Sequence, residues 1–149
     1  MRLAELIVAE HRRIEEELDR LAESLRRGEP ETALEWFTAA WRAASAHFAV
    51  EERILFAAVQ PGFAKLIARM EDQHAQVREA AVAFQAAAES GSGDFLLLGR
   101  RFHALLAHHL IEEERDLVAL LERFLAPALE AELVEALERG GARHPDSQG

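Results

Sequence analysis

Two stretches of the chain repeat one pattern suited to holding a cation. HFAVEERIL, from His47 to Leu55, and HLIEEERDL, from His109 to Leu117, both read H-x-x-x-E-E-R-x-L. On a helix, residues four apart lie one turn apart on one face, so His47 with Glu51, and His109 with Glu113, can reach a common point. Burying a carboxylate on an apolar face is unfavourable unless a cation or a hydrogen-bonded partner meets it, and no lysine stands nearby in either stretch. Neutral imidazoles with carboxylates suit iron, manganese or zinc. They serve calcium and magnesium poorly, because those ions take oxygen almost exclusively.

Long helices must position these side chains. Breakers occur at Gly28-Glu29-Pro30, Gln60-Pro61-Gly62, Ser90 to Asp94, Pro127, and from Gly140 onward. The pieces between them are rich in Ala, Leu, Glu, Arg and Gln, with apolar residues at three- and four-residue spacing. This predicts helices near 2–27, 32–58, 63–89 and 95–126, with a short fifth near 128–139. Thr32 to Glu35 fits a capping box for the second helix, and Asp94 suits the N-cap of the fourth. Short connections favour antiparallel neighbours, so the expected fold is all-α: an up-down-up-down four-helix bundle with a short C-terminal helix. One domain over 1–139 and a disordered tail over 140–149 complete the expectation.

Level and facing bring more histidines to the same place. Measured from a turn centred on Glu29, His11 and His47 are equidistant; about Pro61, His47 and His74 differ by one residue, as do His74 and His109 about Ser92. Each helix thus contributes one imidazole at one height. Each of the four also continues an apolar stripe: Ile7, Ile14 and Leu18 flank His11; Ala40, Ala44 and Ile54 flank His47; Ile67, Met70 and Val77 flank His74; Phe102 and Leu106 precede His109. A lone histidine on such a face is usually an ordinary hydrogen-bonded core residue. Four at one height, with two glutamates one turn on, point instead to a metal site.

The remaining histidines fall elsewhere. His103 is out of level by about seven residues, or roughly 10 Å along the axis, and suits polar packing. His108 shares its face with Arg101, Glu112 and Arg115 and is read as solvent-facing; His144 lies in the tail. Trp36, Phe37, Trp41, Phe48 and Phe56 are read as core filling, with an aromatic near the site also keeping it dry.

On these residues, from about position 5 to 126, the chain resembles the hemerythrin-like (HHE cation-binding) domain family. The resemblance implies a non-haem di-iron centre with two iron ions joined by an oxo or hydroxo bridge, manganese or zinc being substitutes. His11, His47, His74 and His109 are then terminal metal ligands, and Glu51 and Glu113 bridge the ions. The fullest form of the family carries a fifth histidine four residues from the one on the third helix. Here the corresponding positions are Met70 and Arg78. Glu71, three residues before His74, Glu15, four after His11, or water are the candidates to fill that gap. A ferritin-like di-iron oxidase needs two Glu-x-x-His pairs, and only Glu71 to His74 fits.

The resemblance further implies binding of O₂ or a related small diatomic ligand for storage, transport or sensing, which makes the chain a binding protein more than an enzyme. The alternative is redox or iron handling: peroxide or nitric oxide response, or iron donation for repair of iron centres. A third reading is a structural module in which the ions mainly hold the helices together.

Composition narrows the field. The 149 residues carry a net charge of −10, and no long basic run interrupts it, which disfavours nucleic acid and anionic membranes as partners. Cysteine is absent, removing disulfides, thiolate metal sites and cysteine nucleophiles. No phosphate loop, dinucleotide fingerprint or Ser-His-Asp order appears. The start has no basic segment followed by an apolar core, and charges interrupt every apolar stretch, so a cytoplasmic protein without a membrane span is expected, as a monomer or homodimer.

Overall fold

The computed structural model of the chain describes residues 2–142. Its elements are α1 (Leu3–Arg26), α2 (Pro30–Val50), α3 (Ala57–Ser90), α4 (Phe95–Glu112), α5 (Ala119–Phe124) and α6 (Pro127–Ala142). Two π-helical segments join them without a break: Glu51–Phe56 carries α2 into α3, and Glu113–Val118 carries α4 into α5. No strand occurs among the described residues, and no helix there is long and apolar enough to cross a membrane.

Local chemistry explains the ends. After α1, Gly28 adopts φ 67°, and the amides of Gly28 and Glu29 donate to the carbonyls of Leu25 and Ser24. Gly91 repeats the device after α3, with the Ser92 amide donating to Ala87. Glycine suits this left-handed position because it has no Cβ to clash, and the bonds satisfy carbonyls the helix leaves open. The capping box expected at Thr32 does not start α2. Pro30 takes the first helical position, where its preset φ fits and its missing N–H is not needed, and Glu29 stands at the cap. Asp94 does occupy the N-cap of α4, without a side-chain capping bond.

The expected break at Pro61 is sharper than a loop. Helical hydrogen bonding continues on both sides, and only Phe63 leaves helical geometry, at φ −138° and ψ 37°. Proline removes a backbone donor and its ring clashes with the preceding turn, so the kink follows from Pro61-Gly62 directly. The fourth long helix ends near its expected limit, at Leu125, which is extended. The C-terminal helix outruns the expectation: it is helical through Ala142, so the tail expected to be disordered from 140 begins as helix. Gly140 packs close to Val50, Ile54 and Arg53. The rest of that tail, His144 included, lies outside the described residues.

Of these helices, α1 packs on α2 and α4, α3 packs on α4, and α6 packs against α1, α2 and the first π segment. Its interior has two apolar clusters. One gathers Leu18, Leu21, Phe37, Phe48, Phe84, Phe102 and Leu106, with Phe37 edge-on to Phe84 and Phe102 at 4.7 and 4.9 Å between centroids. The other gathers Leu3, Ile7, Leu55, Phe56, Ile67, Met70 and Leu117, closed by Leu133 and Leu137 of α6. Trp36 and Trp41 are half-buried at the margin of the first, and Arg20 lies over Trp36. On each of the four long helical runs, a polar residue falls between the stretches feeding the two clusters.

Candidate metal centre

Those intervening residues are His11, His47 with Glu51, His74, and His109 with Glu113. All six are buried, in a chain whose other polar groups are almost all at the surface. Two groups form, each with its ligand atoms within 4.8 Å of one another: His11, His47, Glu51 and Glu113, and His74, His109, Glu51 and Glu113. Both glutamates belong to both groups. Glu51 sends Oε2 to within 3.2 Å of His47 Nε2 and Oε1 to within 3.3 Å of His74 Nε2. Glu113 sends Oε1 to 2.9 Å from His11 Nε2 and Oε2 to 3.2 Å from His109 Nε2.

The outward faces of the rings explain why the inner nitrogens are bare. His11 Nδ1 bonds Glu114 at 2.8 Å, His47 Nδ1 bonds Glu10 at 2.5 Å, His74 Nδ1 bonds Glu52 at 2.6 Å, and His109 Nδ1 bonds the Gln73 side-chain oxygen at 2.7 Å. Carboxylates and an amide oxygen accept only, so each neutral ring donates its Nδ1–H outward and turns a lone pair inward at Nε2. The inner nitrogens then meet in pairs, His11 with His47 at 3.2 Å and His74 with His109 at 3.1 Å. Two lone pairs at that distance repel unless a proton or a metal ion lies between them. Glu51 Oε1, Glu51 Oε2 and Glu113 Oε2 make no hydrogen bond despite being buried beside these nitrogens. Buried polar atoms are normally satisfied. Imidazole nitrogens and carboxylate oxygens converging in this way, three of the oxygens without a hydrogen bond, fit a divalent transition metal.

In the metal-free protein, protons take the place of a cation among these groups. Without a cation the two carboxylates are too close to ionise together: burial, then the charge of Glu113, push Glu51 well above the ordinary carboxyl range. Burial raises Glu113 too, but neighbouring Glu51 and the facing imidazoles of His109, His11 and His47 outweigh it and hold that carboxyl well below the range. Burial lowers His47, yet the carboxylates of Glu51, Glu10 and Glu113 raise it well above its usual value. Burial, reinforced by neighbouring His109, lowers His74 to about 4 against the pull of Glu52.

The π segments begin at the two shared glutamates. A π segment winds more slowly than an α-helix, so the four-residue steps from His47 through Glu51 to Leu55, and from His109 through Glu113 to Leu117, stay on the inner face instead of drifting off it. Leu55 and Phe56, and Leu117 and Val118, are buried as adjacent pairs below the glutamates. Aromatic cover comes from Phe48, stacked on His74 at 3.8 Å between centroids, and from Phe56 on its other side at 5.4 Å.

The two expected fillers of the gap lie outside both groups. Glu71 is exposed, and Glu15 pairs with Arg12 at 2.7 Å on the outer face of α1. His108 is solvent-facing and paired with Glu112, and His103 is half-buried away from the site, with burial lowering its pKa against the pull of Asp19. Sequence reasoning missed the outer partners Glu10, Glu52, Gln73 and Glu114. A signal was present: each adjoins an inward-facing residue in the chain, Glu52 and Glu114 as the second E of the repeated pattern, Glu10 and Gln73 immediately before His11 and His74.

The family model of the hemerythrin HHE cation binding domain matches residues 2–121. The chain belongs to that family. Comparison with curated proteins and with solved structures finds no match.

Proposed function

We propose that the chain is a non-haem di-iron protein that binds O₂ or a related small diatomic ligand for storage, transport or sensing. The observation carrying this reading is the sharing of Glu51 and Glu113 between two histidine pairs, one oxygen of each directed to each side. His11 and His47 would hold one iron and His74 and His109 the other, with Glu51 and Glu113 available to both; manganese or zinc suits the same donors. A bound iron pair supplies two electrons and open coordination positions to a small ligand. Glu10, Glu52, Gln73 and Glu114 keep the rings aimed and hold the proton of each neutral ring at Nδ1, leaving Nε2 as the donor atom. Phe48 and Phe56 exclude water from the His74 side. With Glu15 and Glu71 outside the site, water or the exogenous ligand would fill the place of the absent fifth histidine.

The proposed frame is an antiparallel up-down-up-down four-helix bundle in a single domain over residues 1–139. Two observations support it. Phe48 and His74 would lie about 39 Å apart along an unbroken helix, yet their rings stack at 3.8 Å. In addition, the order in which the chain visits the two apolar clusters reverses from each long run to the next.

Anaerobic reduction followed by exposure to O₂ tests the reading. It predicts a charge-transfer absorption that appears with O₂ and disappears on deoxygenation. Irreversible oxidation would support redox or iron handling instead. That alternative draws on the lack of a third imidazole at either position, which leaves both ions open to outside ligands. No spectral response from iron-loaded protein would contradict both.

A further inference from the structure

The centre has an internal two-fold pattern. Exchanging α1 with α3 and α2 with α4 exchanges His11 with His74, His47 with His109, Glu51 with Glu113, and Glu52 with Glu114. The outer hydrogen bonds follow the exchange. Glu114 accepts from His11 as Glu52 accepts from His74. Each of these carboxylates is in turn gripped by an arginine, Arg12 and Arg78. Among the outer hydrogen bonds of the four rings, the correspondence breaks at one contact. His47 Nδ1 meets a carboxylate, Glu10, where His109 Nδ1 meets a neutral amide, Gln73.

That difference bears on metal affinity. A carboxylate accepting the Nδ1 proton draws it from the ring and enriches the opposite nitrogen in electron density, so the ring becomes a better donor; it also adds a negative charge one ring away from the cation. An amide oxygen does the first weakly and the second not at all. Gln73 passes its own N–H to Glu112, but that charge is one side chain further out and is met by Arg115 and His108. Loss of an outer partner of a metal-binding histidine typically changes metal affinity by about 10–100-fold.

An independent feature lies on the same side. A cavity of about 350 Å³ opens between α1 and α2, with Glu10, Arg13, Glu17, Arg42, Ala43 and His47 on its walls. His47 is 6% exposed, while the other five inward-facing residues are at 1% or less. The His11–His47 side of the centre is therefore the one less shielded from solvent.

We propose that the two metal positions are unequal by construction: the one served by His11 and His47 binds more tightly and fills first, and Glu10 is the positioning residue that makes it so. This rests on the two-metal reading above.

The test is titration of metal-free protein with Zn(II), followed by calorimetry and by ¹⁵N NMR of the histidine side chains, in the wild type, Glu10→Gln, Gln73→Glu and the double exchange. Zinc has no redox chemistry, so the order of filling reports affinity alone. The wild type is expected to bind two ions in steps separated by about 10–100-fold, with His11 and His47 shifting at the first equivalent. Glu10→Gln is expected to draw the steps together by weakening the first, and Gln73→Glu by strengthening the second. The double exchange should place His74 and His109 first. Both positions are half-buried or exposed at the outer surface, so neither change removes core packing. Two ions binding with His74 and His109 shifting first in the wild type, or with a step ratio that Glu10→Gln leaves unchanged, overturns the inference while sparing the two-metal reading. Fewer than two ions in the wild type overturns both.

Discussion

The apolar cluster around Phe37 and the polar layer around Glu51 are both buried, yet they are held together for opposite reasons. In the first, Phe37, Phe84 and Phe102 fill space edge to face, and every contact made on folding is favourable by itself. In the second, two carboxylates and four imidazoles are removed from water, three carboxylate oxygens are left without a hydrogen bond, and lone pairs face one another. Burying such groups is unfavourable for the chain alone. The polar layer is therefore suited to binding and not to stability, which the two apolar clusters on either side of it supply.

Removing packing should produce the largest effect. Phe37→Ala is expected to destabilise the protein by about 3–5 kcal/mol, equally with and without metal, as read by chemical denaturation. A loss confined to the metal-loaded form would erase the distinction between the two regions.

Acid should act on the polar layer and leave the apolar cluster untouched. His74 titrates near 4 in the folded protein, below its ordinary value, so between pH of about 6.5 and about 4 the unfolded chain binds a proton that the folded one refuses. Its contribution to metal-free stability is complete above that window and falls by at most about 3 kcal/mol as the pH drops through it. His47 has the opposite sign, being raised, and favours the folded state until the pH rises through its folded value. His74→Leu in the metal-free protein is expected to flatten the acid limb. An unchanged limb would show that the histidine is not held neutral by burial.

Replacing the shared carboxylates should separate stability from binding. Glu51→Leu with Glu113→Leu is expected to leave metal-free stability unchanged or raise it by about 1–4 kcal/mol, while metal uptake is lost. A strongly destabilised metal-free double variant would mean that the glutamates serve the fold. The smallest effect belongs to His108→Ala, which removes an exposed ring paired only with Glu112. Stability should move by less than about 0.5 kcal/mol and metal content not at all.

Much of this contrast was legible in the amino-acid order. The four inward histidines share one level and one apolar stripe each, and the repeated H-x-x-x-E placed Glu51 and Glu113 beside them. Helix ends at Gly28 and Gly91 followed from glycine's access to positive φ. What was not legible depended on neighbouring helices. Glu10, Glu52, Gln73 and Glu114 look like solvated charge or amide until another helix brings an imidazole Nδ1 to them. The π segments were also hidden, since i to i+4 spacing reads as α-helix whether or not the winding loosens there. Thr32 was misleading because Pro30, two residues earlier, starts the helix without a side-chain cap.

The central claim is that six buried side chains hold a pair of metal ions. The most direct measurement is metal content per chain after anaerobic loading with Fe(II) and removal of free ion, for the wild type beside His47→Ala and Glu51→Ala. Two equivalents are expected in the wild type and well below two in both variants. Full occupancy retained in either variant, or a wild type that keeps no metal, would contradict it.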